Sequence, residues 1–264
     1  MSEQSILVER DGAVAIVRFN RPDFMNAVTK QMSARYAAVM RELDADAGVR
    51  AIVLTGNGKG FCSGADLAVI AAGPEAISDL VPPVQDLPPL GYRLSKPLIV
   101  AVNGGVAGVG FAYMLGGDVR FASETAKIGT TFARLGLVAE YGLSWLLPRL
   151  VGLGRAMDLL LSGRTVTGAE AKELGLVEYA LPADEVFDAA LAYAKDIAEN
   201  CSPYSLARIK AQVLGDLDND LEAALFRSRW MMERSFHGPD LAEALASRAE
   251  KRPPAFAPPA PLTD

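Results

Sequence analysis

The sequence predicts an α/β fold that gives way to an all-helical C-terminal region. Three observations carry this. Apolar runs of strand length alternate with helical patterns over roughly the first 180 residues. Two units repeat one plan (buried strand, glycine-rich turn, helix start) at Val49–Leu67 and Lys96–Asp118. Beyond Pro182 every apolar pattern has helical spacing.

Taken in order, Ile6–Asn20 reads as a hairpin turning at Asp11-Gly12, with Ala13–Phe19 as its second strand. Asn26–Asp44 reads as an amphipathic helix with Met32, Tyr36, Val39, Met40 and Leu43 on one face and Thr29 suited to cap it. Val49–Leu54 is a buried strand that opens onto Thr55-Gly56-Asn57-Gly58-Lys59-Gly60, after which Asp66 is placed to start a short helix. Residues 71–96, with Pro74, Pro82, Pro83, Pro88 and Pro89, are expected to form an irregular cover. Leu98–Val102 is a second buried strand, broken by Asn103 and followed by Gly104, Gly105, Gly108 and Gly110, then a short helix ended by Gly116-Gly117. Further strands are expected at Val119–Ala122 and Val177–Leu181, with helices over Leu143–Leu150, Ala156–Leu161 and Thr167–Leu174, the last with a capping pattern. Helices are then expected over Ala183–Asn200, Ser202–Leu214, Leu221–Ser235 and Pro239–Glu250, and an irregular proline-rich tail over 253–264.

Composition narrows the function. Half of the 264 residues are apolar and 22% are charged, so a sizeable core is expected. A net charge of −6 argues against nucleic-acid binding. No stretch approaches the roughly 18 apolar residues of a membrane span, and the start MSEQSILVERDG lacks the features of a signal peptide, so a cytoplasmic protein is expected. Two distant cysteines, Cys62 and Cys201, and the single His237 argue against a zinc site or a disulfide framework. No metal is expected.

Each glycine loop offers backbone N–H groups at the mouth of a buried strand. Two such donors converging on one oxygen make an oxyanion hole, worth about 3 kcal/mol per donor in rate. The same pattern also describes an ordinary tight strand–helix connection, and spacing alone leaves both open. A dinucleotide site is disfavoured because Gly108-Val109-Gly110 is not followed by a third glycine, and Lys59 lacks the spacing of a phosphate loop. Ser63 has no GxSxG setting, which disfavours a serine nucleophile.

Several stretches, in this order, resemble the enoyl-CoA hydratase/isomerase (crotonase) superfamily. They are Asn20-Arg21-Pro22 with Asn26-Ala27, GKGFCSGADL (58–67), AVNGGVAGVG (101–110), FARLGLV (132–138), WLLPRLVG (145–152) and GRTVTGAEAKELGLV (163–177). The resemblance implies a crotonase-like spiral of ββα units over residues 1–195 and a C-terminal helical oligomerisation region over 196–264, assembling a homotrimer or a dimer of trimers. It also implies an acyl-CoA substrate, with no cofactor beyond the coenzyme A that the substrate carries.

Carried over residue by residue, the resemblance makes Ala65 and Val109 the two oxyanion N–H donors. Valine stands where the family usually has glycine, which is harmless if its φ is negative and straining if positive. Phe24, Ser63, Asp66, Leu67, Gly108, Tyr141 and Trp145 are expected along the acyl-CoA path; Asp66 is equally suited to capping the helix after its loop. Arg248, Lys251 and Arg252 either meet the coenzyme phosphates of a neighbouring subunit or form a solvated helix face.

The family's hydratases use two glutamates, and their equivalents here are Ala112 and Phe132. One carboxylate remains, Glu140 in LGLVAEYG, where some family isomerases carry a lone acid. Its apolar neighbours Val138, Ala139 and Leu143 would raise its pKa if it is buried. The resemblance therefore implies an enoyl-CoA isomerase with Glu140 as base. The alternatives are an atypical enoyl-CoA hydratase of fatty-acid metabolism and a non-catalytic acyl-CoA binder.

Overall fold

The structure, a computed structural model, describes residues 5–258. Strands β1 (Ile6–Asp11) and β2 (Val14–Phe19) form the expected hairpin, pairing antiparallel across Gly12 at φ +60°. Helix α1 (Lys30–Ala45) starts later than Asn26 because Asn26 is itself left-handed, at φ +57°. Thr29 caps it, its hydroxyl accepting the Met32 N–H at 3.2 Å. Strands β3 (Ala51–Gly56) and β4 (Gly60–Cys62) lead into α2 (Leu67–Ala71) and α3 (Pro74–Leu80). The stretch 71–96 is thus more ordered than its pattern predicts. Pro74 takes the first position of α3, where its missing N–H costs nothing, and two 3-10 turns follow at Val84–Asp86 and Pro88–Arg93.

The central unit is β5 (Leu98–Val102), β6 (Gly105–Ala107) and α4 (Val109–Leu115). After it come β7 (Val119–Ser123), β8 (Lys127–Gly129), a 3-10 turn at Phe132–Leu135, and helices α5 (Leu143–Val151) and α6 (Leu153–Ser162). Strand β9 (Thr165–Thr167), α7 (Gly168–Leu174) and β10 (Tyr179–Leu181) close this part; β10 is two residues shorter than its apolar run. Four helices end the chain: α8 (Val186–Asn200), α9 (Pro203–Gly215), α10 (Leu221–Phe236) and α11 (Pro239–Glu250). Residues 253–258 carry no helix or strand, and the rest of the tail, like residues 1–4 of the start, lies outside the described residues.

The strands form two sheets, a six-stranded one in the order β1-β2-β3-β5-β7-β10 and a four-stranded one in the order β4-β6-β8-β9. Each turn of chain lays one strand on the large sheet and the next on the small sheet: β3 then β4, β5 then β6, β7 then β8. Successive turns pair in parallel, which is the ββα spiral.

The continuous apolar run of β5 has a physical reason. Leu98, Val100 and Val102 face the main core, whereas Ile99 and Ala101 face a second core under α8. Both faces of the sheet are covered, so no polar alternation survives. Ala190, Ala194 and Ala198 repeat every fourth residue on α8 and let it lie close to the strands. Helix α8 runs unbroken past residue 195, and Ala194 and Ala198 belong to the same packed face.

Helix α9 is tied to the spiral by one lysine. Lys210 Nζ donates to the carbonyls of Gly91 (2.7 Å) and Lys96 (3.0 Å) and pairs with Asp118 (2.6 Å), whose carboxylate also accepts the Leu98 N–H. Burial lowers the pKa of Lys210 and raises that of Asp118, each against the pull of the other. Helix α10 has no buried residue along its 16 residues, and Leu221, Leu225, Phe226, Trp230, Met232 and Phe236 are all exposed. No described helix is long and apolar enough to cross a membrane.

Candidate active site

The two glycine loops meet. Gly64 (φ +106°) and Gly108 (φ +51°) each turn the chain through a left-handed conformation just before Ala65 and Val109. A methyl group on Gly64 would stand 3.2 Å from the Ala107 carbonyl oxygen, and one on Gly108 would stand 3.7 Å from the Gly64 Cα. The positive φ disfavours a side chain at both positions, and at Gly64 the Ala107 carbonyl also crowds it, so the backbones come together. Positive φ falls on Gly108, and Val109 is the first residue of α4 with ordinary helical backbone. Its branched side chain is buried without strain, and the substitution of valine for glycine leaves the N–H where the loop puts it. Among the described residues neither the Ala65 N–H nor the Val109 N–H has an acceptor.

Two asparagine side chains, Asn26 buried and Asn103 half-buried, hold this geometry. Asn26 Nδ2 donates to the carbonyls of Asn57 (2.9 Å) and Gly60 (2.8 Å), and its Oδ1 accepts the Arg21 N–H (2.8 Å). Asn103, the residue that ends β5, donates to the Gly58 carbonyl (3.0 Å) and accepts the Gly56 N–H (3.2 Å). Gly104 and Gly110 pack against the backbone of Lys59 and of Cys62, leaving no room for a Cβ. The Cys62 thiol is buried and pushed up to about 12, chiefly by desolvation and against the Gly64 N–H, so it packs as a neutral group.

Asp66 caps α2, accepting the Ala68 N–H at 2.9 Å, and pairs with Arg21 at 2.8 Å. Burial works against its charge, yet these two partners hold its carboxyl below the usual range. The Arg21 guanidinium also lies over the Phe24 ring at 4.6 Å. Phe24 and Asp66 line a groove of about 580 Å³ with Arg21, Thr29 and Lys30. Ser63 and Leu67 are exposed beside it, Leu67 at 80%, and the Ser63 hydroxyl lies 3.5 Å from the Phe24 carbonyl.

Ala112 and Phe132 are sealed in the main core. Glu140 sits half-buried in the turn before α5, and burial raises its pKa. Among the described residues its carboxylate has no ion-pair or hydrogen-bond partner. Tyr141 follows with left-handed backbone (φ +54°) and packs against the main core; burial first, and then the Glu140 charge, push its hydroxyl up to about 12.

Trp145 is placed elsewhere. Its ring lies under the Arg149 guanidinium at 3.9 Å and lines a cavity of about 440 Å³ with Tyr92, Arg120 and Lys210. Ala65, Gly108, Val109, Glu140 and Tyr141 do not line that cavity, so the structure separates Trp145 from the other candidates. The reason is helical phase: Trp145 stands on the face of α5 that turns toward α9, shared with Leu146 and Arg149. In the C-terminal region, His237 is exposed at the end of α10, Lys251 is the left-handed cap of α11, and Arg252 pairs with Glu243 (2.5 Å) and Glu250 (2.6 Å). The positioning roles of Arg21, Asn26 and Asn103 are not legible in the sequence, because nothing in local periodicity marks a side chain that hydrogen-bonds to a distant loop. Among the described residues no group of three or more His, Cys, Asp or Glu is placed to hold a metal ion.

Comparison with known proteins shows the family and the fold. The family model for enoyl-CoA hydratase/isomerase matches residues 9–259. A probable enoyl-CoA hydratase of Mycobacterium bovis is 35% identical over 260 residues, covering 97% of this chain and 99% of its own. The 1,2-epoxyphenylacetyl-CoA isomerase of Escherichia coli K12 is 33% identical over 258 residues, covering 95% and 97%. Among solved structures, an enoyl-CoA hydratase from Bacillus anthracis superposes with a TM-score of 0.90 at 30% identity, covering 97% of this chain and all of the other.

Proposed function

This chain belongs to the enoyl-CoA hydratase/isomerase family, and we propose that within it the protein works as an enoyl-CoA isomerase, with Glu140 as the base and the Ala65 and Val109 N–H groups as the oxyanion hole. The observation that carries the reading is the burial of Ala112 and Phe132 in apolar core where the family's hydratases carry glutamates. Water addition needs one group to activate water and another to deliver a proton. Double-bond migration needs a single base.

The chemistry follows from the donors. Two N–H groups on the thioester oxygen stabilise negative charge there and acidify the adjacent carbon. Glu140 removes a proton from C2 of a 3-enoyl-CoA, and the electron pair spreads into the thioester as a dienolate. The same carboxyl then returns the proton to C4, which leaves the double bond between C2 and C3. A partly desolvated carboxylate with no ion-pair partner suits this shuttle, because its raised pKa makes it both a better base and a competent acid.

Phe24 and Asp66, on their groove, are proposed to flank the coenzyme A arm, with Ser63, Leu67 and Gly108 beside it and Tyr141 beside the acyl group. No cofactor is required beyond that coenzyme A. The large apolar side chains that α10 exposes support a homotrimer or dimer of trimers, since a cluster of this kind left in water marks an association surface. We assign the enzyme to the cytoplasm and to fatty-acid metabolism. A hydratase that relies on Glu140 alone is the second reading, favoured by the names of relatives such as the Mycobacterium bovis protein.

The test is incubation with a 3-enoyl-CoA and a 2-enoyl-CoA in heavy water, followed by mass spectrometry. Interconversion with deuterium uptake, lost in Glu140→Gln, is the expected result. A 3-hydroxyacyl-CoA product would put the hydratase first. Binding without turnover, indifferent to Glu140→Gln, would leave an acyl-CoA binder.

A further inference from the structure

Among the described residues five non-glycine residues have positive φ: Met25, Asn26, Thr131, Tyr141 and Lys251. Lys251 is an ordinary helix cap. Three of the other four touch the two glycine loops, and the fourth, Tyr141, follows Glu140 in the chain. The Met25 carbonyl accepts the Ser63 N–H at 3.1 Å, Asn26 holds the Gly60 carbonyl, and Tyr141 adjoins Glu140. Thr131 stands against Gly108, where an added methyl group would lie 3.7 Å from the threonine hydroxyl.

Thr131 is the least expected of the four. Its φ of +59° and ψ of −13° are disfavoured for a β-branched residue, whose Cβ crowds the backbone there. Such a conformation persists only where the surroundings impose it, and it clusters at functional sites. Thr131 is half-buried; its hydroxyl faces the loop that presents the Val109 N–H and has no hydrogen-bond partner among the described residues. The next residue, Phe132, offers no polar group.

We propose that Thr131 is a substrate-contacting residue, its hydroxyl hydrogen-bonding an acyl-CoA held at the Gly108–Val109 loop and orienting the thioester toward the base. The proposal rests on the reading above only in taking an acyl-CoA as the ligand; it does not depend on which reaction follows. The strained backbone is then explained: the left-handed turn aims the hydroxyl at the ligand instead of at the protein.

The test is calorimetric binding of hexanoyl-CoA, which carries no double bond to move, to the wild type, Thr131→Val and Thr131→Ser. Valine keeps the branched shape and the strain but loses the hydroxyl. Thr131→Val is expected to bind about threefold to tenfold more weakly, the ordinary worth of one hydrogen bond, with an unchanged melting temperature. Thr131→Ser should bind within about twofold of the wild type. Equal binding by Thr131→Val, or an equal loss in Thr131→Ser, would overturn the proposal. A wild type that binds hexanoyl-CoA but turns over no enoyl-CoA would sink the isomerase reading alone, with Thr131 still decided by the two variants. A wild type that binds neither would overturn both.

Discussion

Gly110→Ala should abolish most of the activity by moving a donor about an ångström, without touching the substrate. Gly110 is the second residue of α4 and lies against β4. A Cβ built there stands 2.9 Å from the Cys62 carbonyl carbon and closer still to its oxygen, whereas real Cβ atoms essentially never approach within 3.0 Å. The obstacle is backbone in a buried strand, which cannot swing aside. Restoring carbon–carbon contact of roughly 3.5 Å therefore moves the start of α4 by about 0.5–1 Å. The Val109 N–H precedes Gly110 and moves with it. Oxyanion donors work at about 2.7–3.1 Å, so a shift of that size removes most of one donor, worth about 3 kcal/mol or 100-fold to 1,000-fold in kcat. KM should change little, because the interaction is made mainly as charge develops. Overpacking adds a stability loss of about 1–3 kcal/mol. The assay pairs steady-state kinetics on a 3-enoyl-CoA with thermal melting. Gly154→Ala is the control: nothing lies within 4 Å of its added methyl group and its φ is not positive, so kcat should hold and the melting temperature should not fall. A folded Gly110→Ala protein with kcat within threefold of wild type would refute the reasoning.

Four further outcomes are expected. Glu140 must be ionised to act as base, and burial raises its pKa, so kcat/KM should rise with pH through a range above that of an ordinary carboxyl and lose that limb in Glu140→Gln. The same shift means that Glu140 binds its proton more tightly in the folded state. Its favourable contribution is complete below the unfolded pKa and is lost as pH rises through the folded one, so Glu140→Gln should melt higher than wild type at neutral pH. Lys210→Met leaves Asp118 buried without its partner and should cost about 3 kcal/mol or more in denaturant unfolding, while Lys210→Met with Asp118→Leu should recover much of it. Asp66→Ala removes the α2 cap and the partner of Arg21; a loss of about 1 kcal/mol is expected above the ordinary aspartate range, vanishing as pH falls through the lowered Asp66 pKa, and an unchanged unfolding midpoint at pH 7 would count against it.

By itself the sequence determined the elements whose causes are local. The β5 run is apolar on both faces, Thr29, Asp66 and Thr167 cap helices through neighbouring N–H groups, and Gly116 ends α4, so each could be read within a few residues. The glycine loops were legible as well, because they are matters of residue type, and the resemblance marked Ala112 and Phe132 as the positions without glutamates. Only the tertiary structure decided what depends on distant neighbours. Helix α1 starts at Lys30 because Asn26 is committed to the carbonyls of a loop 31 and 34 residues further on. Val109 is unstrained because Gly108 takes the positive φ, a choice forced by the approach of Gly64. Trp145 turned away from the site because the phase of α5 is set by its packing and not by its distance from Glu140. Thr131 acquired its place against Gly108 through the pairing of β8 with β6, which brings residues more than twenty apart side by side. Periodicity reports which face of an element is buried; it carries no information on which other element buries it, and the site is made from that second fact.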